Sequence, residues 1–239
     1  MVRVSRRAFL IASALALSGI AYSYYETRRV HVTKLGLGLG EKIAFLVDTH
    51  THGFGEVEKE VLEILAREKP RIVLHGGDII DELTSSLDPI REYLSRIDAH
   101  EKYAVLGNHD YWSGRADEVE LLMEELGFKV LRDEEVFSEA CSIFGVDWRD
   151  DREYDVDVDA EIVLAHDPNV VKGLKGGKLI LAGHTHGGIV IGGLTVFTNS
   201  IYTRGLYMLD DGRMLYVSRG LGQMIPFRPT SPLELIIIE

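Results

Sequence analysis

The stretch KLILAGHTHGG, residues 178–188, sets an apolar run of strand length directly against a glycine-rich turn carrying two histidines one residue apart. Four other places repeat the design: KIAFLV before Asp48, RIVLH before Asp78, KYAVL ahead of Asn108, and EIVLA before His166. Runs this apolar, without alternation, read as strands covered on both faces. Between them lie stripes at helical spacing, one formed by Val57, Val61, Ile64 and Leu65, another by Val119, Leu122, Met123 and Leu126. Residues 89–97 read as a further helix with Asp88 as its cap and Pro89 in its first position. Past Gly188 the texture turns to strands: TVFT, a hairpin in LYMLDDGRMLYV with Asp211-Gly212 as its two-residue turn, and a closing strand over Leu235–Ile238. Alternating strands and amphipathic helices followed by hairpins imply an α/β fold containing a second, mixed sheet.

A chain of 239 residues with 46 % hydrophobic content buries a sizeable core in one domain, and neither a linker nor an internal repeat divides it. Charge is unevenly placed. Residues 1–34 hold six Lys and Arg and one acid, so the remainder carries 20 bases against 37 acids, a net of −17. Such a body repels phosphate backbones and excludes extended nucleic-acid binding, while a metal site would still attract one phosphate locally. The lone cysteine, Cys141, forms no intramolecular disulfide and reads as a buried thiol. The acidic stretch Asp147–Asp159 reads as a solvated loop.

The N-terminus is an address. SRRAFL, Ser5–Leu10, resembles the S-R-R-x-F-L pattern of a twin-arginine export signal, and the apolar small-residue stretch that follows reaches about Ala21. Residues 1–34 are therefore expected to be a signal peptide or an N-terminal membrane anchor, with residues 35–239 as the domain. Ala8–Tyr25 is long enough to span a bilayer, and Tyr22, Tyr24 and Tyr25 followed by Arg28 and Arg29 suit an interfacial anchor.

In α/β sheets, ligands bind outside the carboxyl ends of the strands. Five such ends here deliver DTH, GGD, GNHD, HD and GHTH, all residue types that ligate metals. Residues i and i+2 of an extended segment point to one side, so His184 and His186 are expected to reach one site, as are Asp48 and His50. Glycines 183, 187 and 188 let the backbone bend beside that site.

This ordered set resembles the calcineurin-like metallophosphoesterases, whose pattern D-x-H, G-D, G-N-H-D/E, H, G-H-x-H it meets in full. GNHDYW, GHTHGG and the tail YVSRGLG with PFR look like the exported phosphodiesterase branch, which also carries twin-arginine leaders. The resemblance implies a two-sheet αββα sandwich. It implies that Asp48, His50, Asp78 and His186 bind one divalent ion and Asp78, Asn108, His166 and His184 a second, Asp78 bridging them. Mn, Zn, Fe, Co and Ni all suit such mixed N/O shells. It further implies hydrolysis of a P–O bond by attack of a hydroxide held between the metals. His109, oriented by Asp110, would then assist the leaving group.

Around that set, Trp112 and Tyr111 are candidates for an apolar wall, Arg219 and Arg228 for gripping phosphate, and His52 for a substrate contact. His75 reads as packed rather than ligating, and His31 and His100 as surface residues. Met224, Ile225, Pro226 and Phe227 form an apolar loop suited to an acyl chain or a membrane. The expected function is a two-metal phosphodiesterase acting outside the cytoplasm near the membrane, with a lipid- or envelope-linked phosphoester as a candidate substrate and the twin-arginine machinery as its export partner. Two alternatives stand beside it: a metal-dependent nuclease, opposed by the acidic body, and a binding protein without turnover, opposed by the His109-Asp110 pair.

Overall fold

The computed structural model describes residues 5–224 and 226–239; Ile225 of the apolar loop lies outside the described residues. Two six-stranded sheets face each other. The first runs in the order β1 (Val30–Leu35), β16 (Leu233–Ile238), β2 (Ile43–Leu46), β3 (Ile72–His75), β4 (Glu101–Ala104) and β5 (Lys129–Val130), with β2 to β5 parallel and β16 antiparallel to β2. The second runs β14 (Gly205–Met208), β15 (Met214–Val217), β11 (Leu179–Ala182), β9 (Ile162–Ala165), β7 (Ser142–Val146) and β6 (Glu134–Phe137), antiparallel only at its two edges. Two ribbons stand apart: β8 (Val156–Val158) with β10 (Leu174–Gly176), and the hairpin of β12 (Ile189–Ile191) with β13 (Leu194–Phe197).

The quoted apolar runs form the central strands, and every residue of β2, β3, β9 and β11 is buried. Alternation sorts each strand's side chains into two cores. Ile43, Phe45, Ile72 and Leu74 meet Ile162, Leu164, Leu179 and Leu181 between the sheets. Ala44, Leu46 and Val73 instead face Val61, Ile64 and Leu65 of α2 (Glu56–Glu68) and Ile90 and Leu94 of α3 (Asp88–Leu94). Each aliphatic side chain so buried contributes about 1.5–3 kcal/mol, which makes this double core the frame that holds the turns at its edge. α4 (Asn108–Trp112) and α5 (Ala116–Glu125) complete this helical layer.

The α/β two-sheet sandwich is the expected architecture, with several local differences. The outer face of the second sheet is covered by the short 3-10 helix Pro168–Lys172, the β8–β10 ribbon and Tyr202 and Tyr207, so that layer is thin. β1 pairs with β16 from Val30 to Leu35, so these residues are part of the first sheet. α3 begins at Asp88, one residue before the expected proline. The β14–β15 hairpin closes at Leu209 and Arg213, so its loop spans 210–212, with Gly212 supplying the left-handed residue of a three-residue turn. The acidic stretch is not all solvated loop: it contains β8 and the buried Trp148.

α1 (Arg6–Glu26) is long and apolar enough to cross a membrane, and Phe9, Leu10, Leu15, Leu17 and Ile20 along it are exposed. Only its last turn meets the domain, where Ser23, Glu26 and the following Thr27 are buried.

Candidate metal centre and active site

The turns after β2, β3, β4, β9 and β11 open at one edge of the sandwich, and the backbone there is strained. Asp48, His50, Asp78, His184 and His186 hold φ of 51°, 40°, 52°, 70° and 48°, a left-handed region that only three other described non-glycine residues occupy. Each such residue costs about 1–3 kcal/mol and persists only where its surroundings enforce it. The expected extended i, i+2 geometry of Asp48/His50 and His184/His186 is thus not the one found. Both pairs still reach the site, by left-handed turns that swing the flanking side chains inward. Glycines make the close approach possible. A Cβ on Gly107 would lie 2.2 Å from Asp78 Oδ1, and one on Gly220, itself at φ +73°, would lie 2.6 Å from the Asp48 Cβ.

Donor atoms of Asp48, His50, Asp78 and His186 lie within 4.8 Å of one another, as do those of Asp78, His166 and His184. Asp78 belongs to both groups. Asn108 joins the second through Oδ1, 3.1 Å from His166 Nε2.

The imidazoles are aimed by their other nitrogen. His50 Nδ1 donates to Asp81 Oδ2 at 3.1 Å and His166 Nδ1 to the Gly76 carbonyl at 2.9 Å, whereas His186 Nδ1 lies between the Gly222 carbonyl at 3.2 Å and the donor Arg228 Nη2 at 3.1 Å. The Asp81 and Gly76 oxygens only accept, so in His50 and His166 Nδ1 carries a proton and Nε2 is the atom turned to the centre. His184 differs: its Nδ1 lies 3.2 Å from His166 Nε2 and its Nε2 3.2 Å from the Asn199 amide, while its backbone N–H donates to the Asp48 carboxylate.

The residues fit a pair of divalent ions on their own evidence. His50 Nε2 is buried without a hydrogen-bond partner, and Asp78 Oδ2 is buried 3.2 Å from His166 Nε2. His166 Nε2 has Asn108 Oδ1, Asp78 Oδ2 and His184 Nδ1 at 3.1–3.2 Å, more neighbours than one nitrogen can bond. Such a convergence of acceptors calls for positive charge between them, and a mixed carboxylate, amide and imidazole set suits a divalent metal.

The electrostatics agree. Burial alone would raise Asp78, but the facing His166 and His50 hold it well below the carboxylate range. Burial, reinforced by Asp78, pushes Asp48 up. Burial would likewise lower His166, yet the charges of Asp78 and Asp48 outweigh it and lift the imidazole to about 10. The same contest, with Asp81 supplying the hydrogen bond, leaves His50 raised. Burial and the neighbouring His166 bring His184 down to about 3, and burial with His50 holds His186 well below its usual value. The carboxylates thus draw positive charge into the site, and without metal a proton on His166 supplies it.

His109 sits at the mouth, its ring 5.2 Å from that of His50 and its backbone N–H donating to Asp78 Oδ1 at 2.9 Å. The expected contact to Asp110 is replaced by another: His109 Nδ1 donates to Glu82 Oε2 at 2.7 Å. The Asp110 carboxylate is fully buried, pushed up to about 6 by burial and by Asp78, and accepts the N–H groups of Gly107, Ile79 and Ile80 at 2.8–3.0 Å. It therefore ties the Asp78 turn to the His109 turn and does not orient the ring.

The expected phosphate grip of Arg228 is also corrected. Arg219 pairs with Glu234 at 2.9 Å, and the buried Arg228 donates to the Arg219, Gly222 and Ser231 carbonyls and to Gln223. The donors of Arg228 are spent on holding the C-terminal loop, whereas Arg219 commits only Nη2, to Glu234, and its Nε is buried without a partner. Trp112 is half-exposed with its ring edge-on to His109 at 5.3 Å, whereas the Tyr111 hydroxyl turns away to Asp147 and Arg132. His52 joins Asp81 at 2.8 Å. His75 is packed as expected, held at about 3 by burial, with Thr49 3.2 Å from its Nε2. His31 is half-buried, unlike the exposed His100.

Sequence reasoning missed Asp81, Glu82, Trp148 and Asn199. Asp81 and Glu82 follow Asp78 by three and four residues, the one signal available. Trp148 packs 5.4 Å from the His184 ring and 5.9 Å from that of His166, and nothing in the acidic stretch announces it. Beside the centre opens a cavity of about 440 Å³ whose walls include His109, His186, Ile189, Phe197, Phe227 and Pro229.

Fold and site together define a phosphoesterase of the two-sheet metal-dependent class. The chain matches the model of the calcineurin-like phosphoesterase family over residues 41–188 and belongs to that family, a hydrolase of phosphoester bonds. Among its relatives is an uncharacterized metallophosphoesterase of Aquifex aeolicus, 33 % identical, with 91 % of this chain and 94 % of that protein aligned. Phosphodiesterase YaeI of Escherichia coli is 26 % identical over 99 % of both chains. A Danio rerio transmembrane protein with a metallophosphoesterase domain is 26 % identical across 95 % of this chain and 60 % of its own length. A 5'-nucleotidase precursor from Thermus thermophilus shares the fold, with a TM-score of 0.50 and 15 % identity over 76 % of this chain and 49 % of that one.

Proposed function

We propose that this chain is a two-metal phosphodiesterase that works outside the cytoplasm, held at a membrane by its N-terminal helix. The observation that carries the reading is the pair of donor clusters sharing Asp78, with His50 Nε2 buried and unpartnered among them. Asp48, His50, Asp78 and His186 hold one ion; Asp78, Asn108, His166 and His184 hold the other. When bound, two such ions supply Lewis acidity to a phosphoryl group and lower the pKa of water beside it.

The rest is done by the chain. Asp81 and Gly76 hold the Nδ1–H groups of His50 and His166, so the Nε2 atoms of both rings face the centre before any ligand arrives. With Nδ1 committed to Glu82, His109 turns Nε2 toward the cavity mouth, where it protonates or stabilises the departing oxygen. Asp110 keeps the two turns in register. Trp112 forms one wall for the leaving group.

The diester preference is supported by the name of the Escherichia coli relative. The twin-arginine pattern at Ser5–Leu10, the apolar α1 and the transmembrane relative support export and anchoring. Purified full-length protein with Mn²⁺, Co²⁺ or Zn²⁺ should hydrolyse an aryl phosphodiester, and His109→Ala should cut turnover by roughly 10²- to 10⁴-fold with metal content intact. Two bound ions with no hydrolysis of any diester or monoester would defeat the proposal.

A further inference from the structure

The β12–β13 hairpin is out of character for an acidic protein. Residues 187–203 contain no charged side chain in a chain that is 27 % charged. Every residue of β13 is exposed, Leu194 to 74 % and Val196 and Phe197 to 64 % each, and Ile191 across the hairpin is 61 % exposed. The ribbon pairs with neither large sheet, so the fold gives these side chains no cover. Exposed apolar side chains gathered on one ribbon mark a partner, and the lack of charge along it suits an apolar one.

Two further observations fix where that partner lies. The apolar surface continues inward: Ile189 and Phe197 of the hairpin and Phe227 of the C-terminal loop wall the same cavity as His109 and His186. The membrane-length helix ends at this rim as well. Thr27, just past α1, lines a crevice with His50, His52 and Gln223, and Gln223 also lines the main cavity. The end of α1 thus lies beside the crevice that adjoins the site mouth.

We propose that this rim is a bilayer-docking surface: the hairpin and Phe227 enter the lipid interface, and the cavity behind them receives the apolar tail of a membrane-resident phosphoester whose head reaches the metal centre. The inference rests on α1 as an anchor and on the site as a phosphodiesterase. It places the substrate among long-chain amphiphiles and makes the membrane a part of substrate delivery.

The test uses the full chain in phosphatidylcholine vesicles, in a Cys141→Ala background, with an environment-sensitive fluorophore on Leu194→Cys or, as control, on Phe137→Cys. Phe137 pairs with Ser142 at the start of β7, the end of the second sheet remote from the site. The expected result is that the protein floats with the vesicles and that brominated acyl chains quench the label at 194 and not at 137. Flotation with an unquenched 194 label overturns docking while leaving the anchor reading intact; failure to float overturns the anchor reading and docking with it. A 194 label buried in a dimer, unquenched by lipid, assigns the patch to a second copy and also overturns the proposal. In a second arm, Leu194→Ser with Val196→Ser should lower hydrolysis of a diacyl phosphodiester in vesicles by roughly tenfold and leave a soluble aryl phosphodiester unchanged. Equal loss on both substrates, or no loss on either, refutes it. If the unmutated protein hydrolyses neither, the enzymatic reading fails and the quenching result still decides docking.

Discussion

Glu82→Gln is the sharpest probe of the proton-handling arrangement, because it keeps the side chain's length and an acceptor oxygen while removing the charge. The contact it alters is the 2.7 Å hydrogen bond to His109 Nδ1. Two unit charges about 4 Å apart interact by about 1 kcal/mol in water and about 4 kcal/mol at the effective dielectric of a protein surface. The Glu82 side chain is 38 % exposed and that of His109 18 %, so screening favours the lower end, about 1 kcal/mol. That corresponds to a roughly fivefold fall in kcat/KM. Metal content should not change. The assay is a double-mutant cycle on an aryl phosphodiester: if Glu82 acts through His109, adding Glu82→Gln to His109→Ala costs nothing more. A full fivefold loss on top of His109→Ala, or loss of bound metal in Glu82→Gln alone, would refute this role.

Other expectations follow from the same geometry. Asp78→Asn should deplete both ions, whereas His186→Ala or His184→Ala should deplete mainly one; elemental analysis showing full occupancy in Asp78→Asn would remove the bridging role. Metal binding should release protons at neutral pH, since His166 holds one up to about 10 in the metal-free protein and must give it up, so apparent affinity rises as pH climbs toward that value; calorimetry in buffers of different ionisation heat reads this directly. The linkage sign follows from the raised folded value. His166 contributes stability to the metal-free protein fully below 6.5, its ordinary value, and loses it as pH rises through about 10, which denaturant midpoints across that window would detect. Gly220→Ala places a Cβ 2.6 Å from that of Asp48 at a left-handed φ, so it should cost about 1–3 kcal/mol and weaken metal binding; an unchanged melting temperature and metal content would show that the loop yields freely.

The sequence by itself determined the five central strands that lead into the site and the ligand types at their ends. Continuous apolar runs such as Leu179–Ala182 are buried on both faces whatever their neighbours, and the turn after each has one side on which to place its polar residues. The donor set Asp48, His50, Asp78, Asn108, His166, His184 and His186 was legible for that reason. Its backbone was not, because the left-handed turns at five of these residues are imposed by the packing around them and contradict their own local preference. Nor was the second rank of partners. The chain holds 38 acids, and whether Asp110 or Glu82 faces His109 depends on how two loops cross in space. Arg228 looked free to hold phosphate until Gln223 and three backbone carbonyls took its donors. Local sequence fixes what a residue can offer, through its side-chain chemistry and its place on a strand or turn. Only the folded chain decides which offer is taken, because hydrogen bonds saturate and the nearest complementary group can lie anywhere along the polymer, as with the His184 N–H and the Asp48 carboxylate, 136 residues apart.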